Sequence, residues 1–257
     1  MLNLQAFASP SLLARIRDDI DDQFGHTLVG LYLYGSLVSG DFVIGISDLD
    51  LLAVTTRDLH DDDVAPLESL HEAIVADHPE WADRIEVAYL SAQGLKTFKT
   101  ARSPLIIISP GEPLHLIDAG SDWLMNWYLI RTSGIALYGP SVTEVIPPIA
   151  REEYLEAVRQ HLSSAEDWIA RATSRKPGSY AVLTAARGYY TLTYGEHASK
   201  ARTAVWMKAQ FPEWAGLIDR AQNWRVMPLD QPLTSDDRRE IVAYLSIVTE
   251  LIRDNGG

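Results

Sequence analysis

The sequence predicts an α+β fold in which an α/β domain is followed by an all-helical domain. Apolar runs typical of strands alternate with helical patterns in the first part of the chain. After Ile146-Pro147-Pro148, strand patterns almost vanish and helical periodicity takes over. The net charge also changes at this point. Residues 1–150 hold 21 acidic and 8 basic residues, whereas residues 151–257 hold 14 of each. We therefore predict a first domain over 1–150 and a helical domain over 151–257.

Apolar periodicity places the individual elements in order. In the first domain it predicts helices over 10–24 and 64–78, strands over 28–34, 48–55, 84–90 and 104–109, and a short strand from residue 135. Residues 122–131 fit a helix or a strand equally well. In the second domain it predicts helices over 151–173, 179–194, 199–210, 213–223 and 235–254.

The composition excludes several classes of protein. The 257 residues are 47% apolar, as in globular proteins, and include no cysteine, which excludes disulfides, thiolate catalysis and thiolate zinc sites. The N-terminus lacks the pattern of a signal peptide, and no stretch approaches the roughly 18 apolar residues of a membrane span. We expect a cytoplasmic protein with no membrane partner. The net charge of −13 lies wholly in the first domain and disfavours nucleic acid as a partner, although solubility is the commoner reason for such charge.

The most informative motif is Gly35-Ser36 followed by Asp48-Leu49-Asp50. Side chains two residues apart on a strand point to the same face, so Asp48 and Asp50 direct two carboxylates to one place, as Mg²⁺ sites require. The turn at Gly35 offers N–H groups and the Ser36 hydroxyl to phosphate oxygens. The alternative is a hairpin with aspartates facing water. Aspartates inside an apolar strand are costly unless they bind something, which favours a metal site.

Three further side chains have the chemistry that such a site needs. Glu86 lies in an apolar strand and could ligate a metal or take a proton from an attacking hydroxyl. The alternative is a glutamate on an edge strand facing water. Arg187 and Lys200 lie at predicted helical positions and could neutralise phosphate charge, or each could be a surface cation or an ion-pair partner.

Several runs of sequence resemble one known family. The chain is similar to the streptomycin/spectinomycin adenylyltransferases, which are aminoglycoside nucleotidyltransferases of the polymerase-beta-like superfamily with a C-terminal helical domain. The resemblance implies a polymerase-beta-like nucleotidyltransferase α/β domain followed by an all-helical domain, and it covers most of residues 28–225. The runs that carry it are 34–36, 47–52, 134–140, 180–192 and 199–206.

The resemblance also implies a role for each candidate residue. Gly35 and Ser36 would contact the nucleotide phosphates, and Asp48 and Asp50, with Glu86 as third carboxylate, would hold two Mg²⁺ ions. Glu86 would also match the family's catalytic base. Arg187 and Lys200 would match the helical-domain cations that close onto the triphosphate. Trp123 and Trp168 would match tryptophans that contact the acceptor. The alternative for Trp168 is helix packing.

The implied activity is transfer of AMP from ATP to a hydroxyl of a cationic small molecule, an aminoglycoside or aminocyclitol antibiotic, by a monomeric resistance enzyme. The loop 172–179 contains Arg175 and Lys176, whereas relatives that accept streptomycin carry acidic residues there, so we expect spectinomycin rather than streptomycin. A protein-adenylylating enzyme of a toxin–antitoxin type is the alternative. A non-catalytic nucleotide sensor is disfavoured, because all three carboxylates are present.

Overall fold

The computed structural model describes residues 10–227 and 229–254, except for the side chains of Glu166, Arg171 and Asp254. The chain divides into two compact units, Met1–Ile149 and Ala150–Gly257. The division falls one residue before the boundary that we predicted from composition.

The first unit is built on a mixed sheet of six strands in the order β5-β4-β3-β2-β1-β6. The strands are β1 (Leu28–Tyr34), β2 (Leu49–Thr55), β3 (Ile85–Ser91), β4 (Ser103–Ser109), β5 (Glu112–Ala119) and β6 (Ile135–Tyr138). Strands β2 and β3 run parallel, and the other neighbouring pairs are antiparallel. Strands β2 and β3 are therefore hydrogen-bonded on both sides.

Helices pack against this sheet, and those on one face form a large core cluster with it. The helices of the unit are α1 (Pro10–Phe24), α2 (Ser36–Ser39), α3 (Asp61–Asp77), α4 (Ala92–Thr97), α5 (Leu124–Ser133) and α6 (Val142–Val145). Apolar side chains of α1 and α3 pack with the odd-numbered residues of β2 and β3, including Leu49, Leu51, Ile85 and Val87. Because side chains alternate along a strand, the even-numbered residues of β2 and β3 point to the opposite face.

The second unit is helical. Its helices are α7 (Arg151–Ser163), α8 (Ala165–Arg171), α9 (Arg175–Tyr194), α10 (Lys200–Gln210), α11 (Ala215–Arg225) and α12 (Ser235–Asp254). Helix α9 is the central element, and most of its residues from Gly178 to Thr191 are buried. A Cβ at Gly188 would come within 2.5 Å of the Leu162 side chain, so a residue without a side chain lets α7 and α9 pack closely.

The structure agrees with most predicted elements and corrects a few. Residues 122–131 are largely helical, as part of α5. The helix predicted over 151–173 is interrupted at Ser164, and α9 begins at Arg175 rather than at residue 179. Pro177 lies in the first turn of α9, where the missing N–H would have no helical partner, so it does not break the helix. Strand β5 was not predicted, because its residues show no apolar run.

No helix in the described part of the chain is long and apolar enough to cross a membrane.

A buried histidine predicts how the stability of the first unit depends on pH. His71 on α3 shares a 2.7 Å hydrogen bond with the Tyr89 hydroxyl on β3, and burial lowers the His71 pKa to about 4. In the unfolded chain the imidazole takes up its proton near pH 6.5, so between these two pH values protons favour unfolding. The free energy of unfolding should therefore fall by up to about 3 kcal/mol as the pH drops from about 6.5 to about 4.

Urea denaturation at stepped pH values measures this dependence. His71→Gln keeps a hydrogen-bonding group and removes the titration, so its stability should depend less on pH than that of the wild type. His26→Gln, at an exposed position, is the matched control and should follow the wild type. An unchanged pH slope in His71→Gln would contradict the assignment.

Candidate active site

Strand register places three side chains of the first unit in one row. Tyr34 on β1 is the register partner of Asp50 on β2, and Asp50 is the partner of Glu86 on β3. Directly paired residues point to the same face of a sheet. Asp48, two residues before Asp50, belongs to that face as well. The row lies opposite the core, and Asp48, Asp50 and Glu86 are all partly exposed.

The Gly35 turn lies directly against the Asp50 carboxylate. Gly35 has φ of +71°, and a Cβ there would lie 1.9 Å from Asp50 Oδ2. Ser36 begins the short helix α2, and its carbonyl accepts a hydrogen bond from the Asp41 N–H at 3.0 Å. Backbone and carboxylate are therefore in contact only because residue 35 has no side chain.

Glu86 has an environment that suits a base. Burial raises the Glu86 pKa, the negative charge of Asp48 raises it further, and hydrogen bonds from Tyr34 and Ser109 oppose the rise. The Tyr34 hydroxyl donates to Glu86 Oε1 at 3.1 Å. Burial, with the charges of Glu86 and Asp50, raises the Tyr34 pKa well above its usual value, so this hydroxyl stays a donor. The edge-strand alternative for Glu86 is wrong, because β3 is paired on both sides.

The carboxylates have the chemistry of a magnesium site, although their side chains are not gathered around one point. Within residues 10–227 and 229–254, no group of three or more His, Asp or Glu side chains is placed to hold a metal ion. One oxygen of Glu86 instead accepts the Tyr34 hydroxyl. Asp50 and Glu86 are register partners on paired strands, which lie about 4.8 Å apart.

The helical unit contains the other predicted residues. Trp168 on α8 lies against the ring of His161 at 4.7 Å and against the ring of Tyr180 at 6.0 Å between centroids. Lys200 Nζ at the start of α10 is 5.5 Å from the centre of the Tyr180 ring. Trp168 and Lys200 thus contact the same tyrosine, which we did not single out from the sequence.

Arg187 lies among imidazoles that stay neutral at pH 7. Burial and, secondarily, the charge of Arg187 lower the pKa of His197 to about 4 and also lower the pKa of His161. The hydroxyl of buried Tyr154 lies 3.4 Å from His197 Nδ1. Among these residues, the sequence analysis singled out only Arg187, which lies at a predicted helical position.

Trp123 and the loop 172–179 have neighbours that the sequence did not indicate. Trp123, in the first unit, stacks on fully buried Trp127 at 5.3 Å between ring centroids, so packing accounts for part of its environment. From Arg175 onward the loop is helical. Asp230 accepts hydrogen bonds from the Ser174 hydroxyl and the Lys176 N–H, which places an acidic group beside this basic segment.

Comparison with known proteins identifies both parts of the chain. Residues 13–103 match the family described as "Nucleotidyltransferase domain", and residues 144–250 match the family described as "Aminoglycoside adenylyltransferase, C-terminal domain".

Curated relatives and solved structures extend this similarity over most of the chain. A spectinomycin 9-adenylyltransferase of Staphylococcus aureus is 25% identical over 228 residues, which cover 79% of this chain and 80% of the relative. An aminoglycoside (3'') (9) adenylyltransferase of Klebsiella pneumoniae is 26% identical over 218 residues, with 78% of each protein covered. A spectinomycin adenyltransferase from Enterococcus faecialis, crystallised with ATP and spectinomycin, has a similar fold, with a TM-score of 0.73, 16% identity and coverage of 94% and 98%. The chain is therefore an enzyme with a nucleotidyltransferase domain over residues 13–103, followed by a helical domain that matches the C-terminal domain of aminoglycoside adenylyltransferases over residues 144–250.

Proposed function

We propose that this enzyme transfers AMP from ATP to a hydroxyl group of an aminoglycoside or aminocyclitol, and that antibiotic resistance is its role. The observation that carries the proposal is the row formed by Tyr34, Asp50 and Glu86, with Asp48 beside it on the same sheet face. The names of the relatives support the acceptor class, and the ATP and spectinomycin of the Enterococcus structure support the substrate pair.

Mg²⁺ fits the residues of this face. Asp48, Asp50 and Glu86 offer the hard carboxylate oxygens that Mg²⁺ prefers, and the Gly35 turn leaves room beside Asp50 that a Cβ would fill. We propose that these residues hold two Mg²⁺ ions, which would neutralise charge on the triphosphate and polarise its α-phosphorus. Bound cations would also relieve the repulsion between the carboxylates.

The Glu86 carboxylate is proposed as the general base. It removes the proton from the acceptor hydroxyl while the hydroxyl oxygen forms a bond to the α-phosphorus of ATP. The bond between the α-phosphorus and the oxygen bridging to the β-phosphate breaks, and pyrophosphate leaves. The raised pKa of Glu86 makes it a better proton acceptor than an ordinary surface carboxylate.

Nucleotide binding is proposed for residues of both units. Gly35 and Ser36 present backbone N–H groups and a hydroxyl to the phosphates, and Arg187 and Lys200 supply the positive charge that a triphosphate needs. The neutral imidazole of His197 near Arg187 suits this role, because it adds no competing positive charge at pH 7.

The acceptor is proposed to contact Trp123 and Trp168, with spectinomycin preferred over streptomycin. Arg175 and Lys176 disfavour the guanidinium groups of streptomycin by like charge. The Asp230 carboxylate accepts hydrogen bonds from the same segment and offsets part of its positive charge.

An assay with ATP, Mg²⁺ and a panel of aminocyclitols tests the proposal. Pyrophosphate release and the product mass report the reaction and the group transferred. We expect an AMP adduct of spectinomycin, with slower or no reaction of streptomycin. If no aminocyclitol reacts but a protein becomes AMP-modified, the acceptor assignment is wrong.

The aspartates should be essential for transfer but not for folding. Asp48→Asn and Asp50→Asn each remove a charged ligand and should lower turnover about 1,000-fold, because metal ligation supplies several kcal/mol of transition-state stabilisation. Asp22→Asn, on the exposed face of α1, is the control and should behave as wild type. Near-normal turnover of either site variant would overturn the metal assignment.

Glu86→Gln should show whether Glu86 acts mainly as the general base or mainly as a metal ligand. If Glu86 is mainly the base, turnover falls about 100- to 10,000-fold while the affinity for Mg-ATP stays near that of the wild type. Calorimetry gives the affinity, and single-turnover kinetics give the chemical step. A parallel collapse of nucleotide affinity would show that Glu86 acts mainly as a metal ligand.

A pair of glycine variants should isolate the contact with Asp50. Gly35→Ala and Gly25→Ala both place alanine at a positive φ, but only at Gly35 would the new Cβ meet Asp50. Displacement of that carboxylate by about 1 Å should lower turnover about 100-fold in Gly35→Ala, whereas Gly25→Ala should bear only the backbone strain. Equal activity and equal melting temperatures of the two variants would contradict the proposed contact.

A further inference from the structure

Arg84 holds the backbone on both sides of Asp48. Its guanidinium Nη2 donates a 2.6 Å hydrogen bond to the Ser47 carbonyl, and its own carbonyl accepts the Leu49 N–H at 2.9 Å. The residues immediately before and after Asp48 are therefore both bonded to the same residue. Arg84 also lies two positions before Glu86, at the start of the parallel pair β2 and β3.

The Arg84 side chain is itself fixed by packing. Its guanidinium lies 4.5 Å from the centre of the ring of buried Trp81, which in turn stacks with Phe42. A second guanidinium nitrogen lies 3.3 Å from the Glu80 carbonyl. A planar guanidinium with several donors can make these contacts together, which a lysine ammonium cannot do in the same geometry.

The segment before Asp48 forms a turn whose last residue, Ser47, is the residue that Arg84 contacts. The Ser47 hydroxyl accepts the Val43 N–H at 2.9 Å, and the Ser47 N–H donates to the Val43 carbonyl at 2.9 Å. Ser47 is buried, and its carbonyl accepts the Arg84 hydrogen bond. The turn over residues 43–47 is therefore joined to Arg84 at Ser47, the residue immediately before Asp48.

We infer that Arg84 is a positioning residue that sets the Asp48 carboxylate for metal binding. The inference rests on the proposed role of Asp48 as a ligand. The Arg84 side chain would act through the Ser47 carbonyl, because the hydrogen bond to Leu49 comes from the backbone of residue 84 and remains in any variant. The direction of the change in metal affinity distinguishes a positioning role from a charge effect. Removal of a nearby cation would by charge alone strengthen binding of Mg²⁺ or Mn²⁺. Loss of positioning would instead weaken that binding.

The test measures Mn²⁺ binding by electron paramagnetic resonance, in the presence of an ATP analogue with a methylene bridge between the α- and β-phosphates. Arg84→Met keeps an apolar stem over Trp81 and removes the donors. We expect its Mn²⁺ dissociation constant to rise tenfold or more, as is typical for loss of an outer-shell contact. Arg57→Met is the control, since Arg57 pairs with Asp63 in the same unit, and it should bind Mn²⁺ as the wild type does.

Three further results complete the test. Arg84→Lys keeps the charge but not the planar set of donors, so its Mn²⁺ affinity should lie between those of Arg84→Met and wild type, and it decides the question alone if Arg84→Met does not fold. Circular dichroism establishes that each variant is folded at the assay temperature. Unchanged or stronger Mn²⁺ binding by folded Arg84 variants would overturn the inference while leaving the proposed function intact. Failure of the wild type to bind Mn²⁺ with the nucleotide would overturn both.

Discussion

The register of β2 between β1 and β3 is the constraint on which the proposed catalytic face depends. It places Tyr34, Asp50 and Glu86 side by side, and strand alternation adds Asp48 to the same face while Leu49 and Leu51 enter the core. A shift of one residue would reverse every side chain, moving the carboxylates into the core. Beyond the carboxylates both faces of β2 and β3 are buried, so packing on the two faces together fixes this register.

A face with three neighbouring carboxylates is electrostatically unfavourable, and the structure shows how this is managed. Hydroxyl donors, rather than cations, satisfy Glu86: Tyr34 and Ser109 both hydrogen-bond to it, yet burial and Asp48 still raise its pKa. A carboxylate kept basic in this way retains affinity for a proton and for cations. Holding these carboxylates together lowers the stability of the folded protein, and a bound metal ion would restore it. Such destabilised charged groups are common at functional sites.

The helical unit surrounds its partly exposed Arg187 differently. Arg187 lies on the central helix α9, which packs closely through residues such as Gly188, and the nearby His197 is kept neutral by burial. An aromatic group of Trp168 and Tyr180 connects to Lys200 through a cation–π contact. The ring beside Lys200 and the imidazole near Arg187 are neutral, so they add no competing positive charge where we propose an anionic ligand.

The sequence by itself determined the order of most elements and the two-part organisation, because these depend on local periodicity. It could not decide that β3 is an interior strand, and so that Glu86 is only partly exposed, since strand order is set by pairing between distant segments. Strand β5 was not predicted either: its apolar residues Leu114 and Leu116 are separated by His115, and its pairing with β4 defines it as a strand. Tertiary structure alone brought Tyr34 to Glu86, Asp230 to Ser174 and Arg84 to Ser47, contacts across 52, 56 and 37 residues that no local pattern encodes.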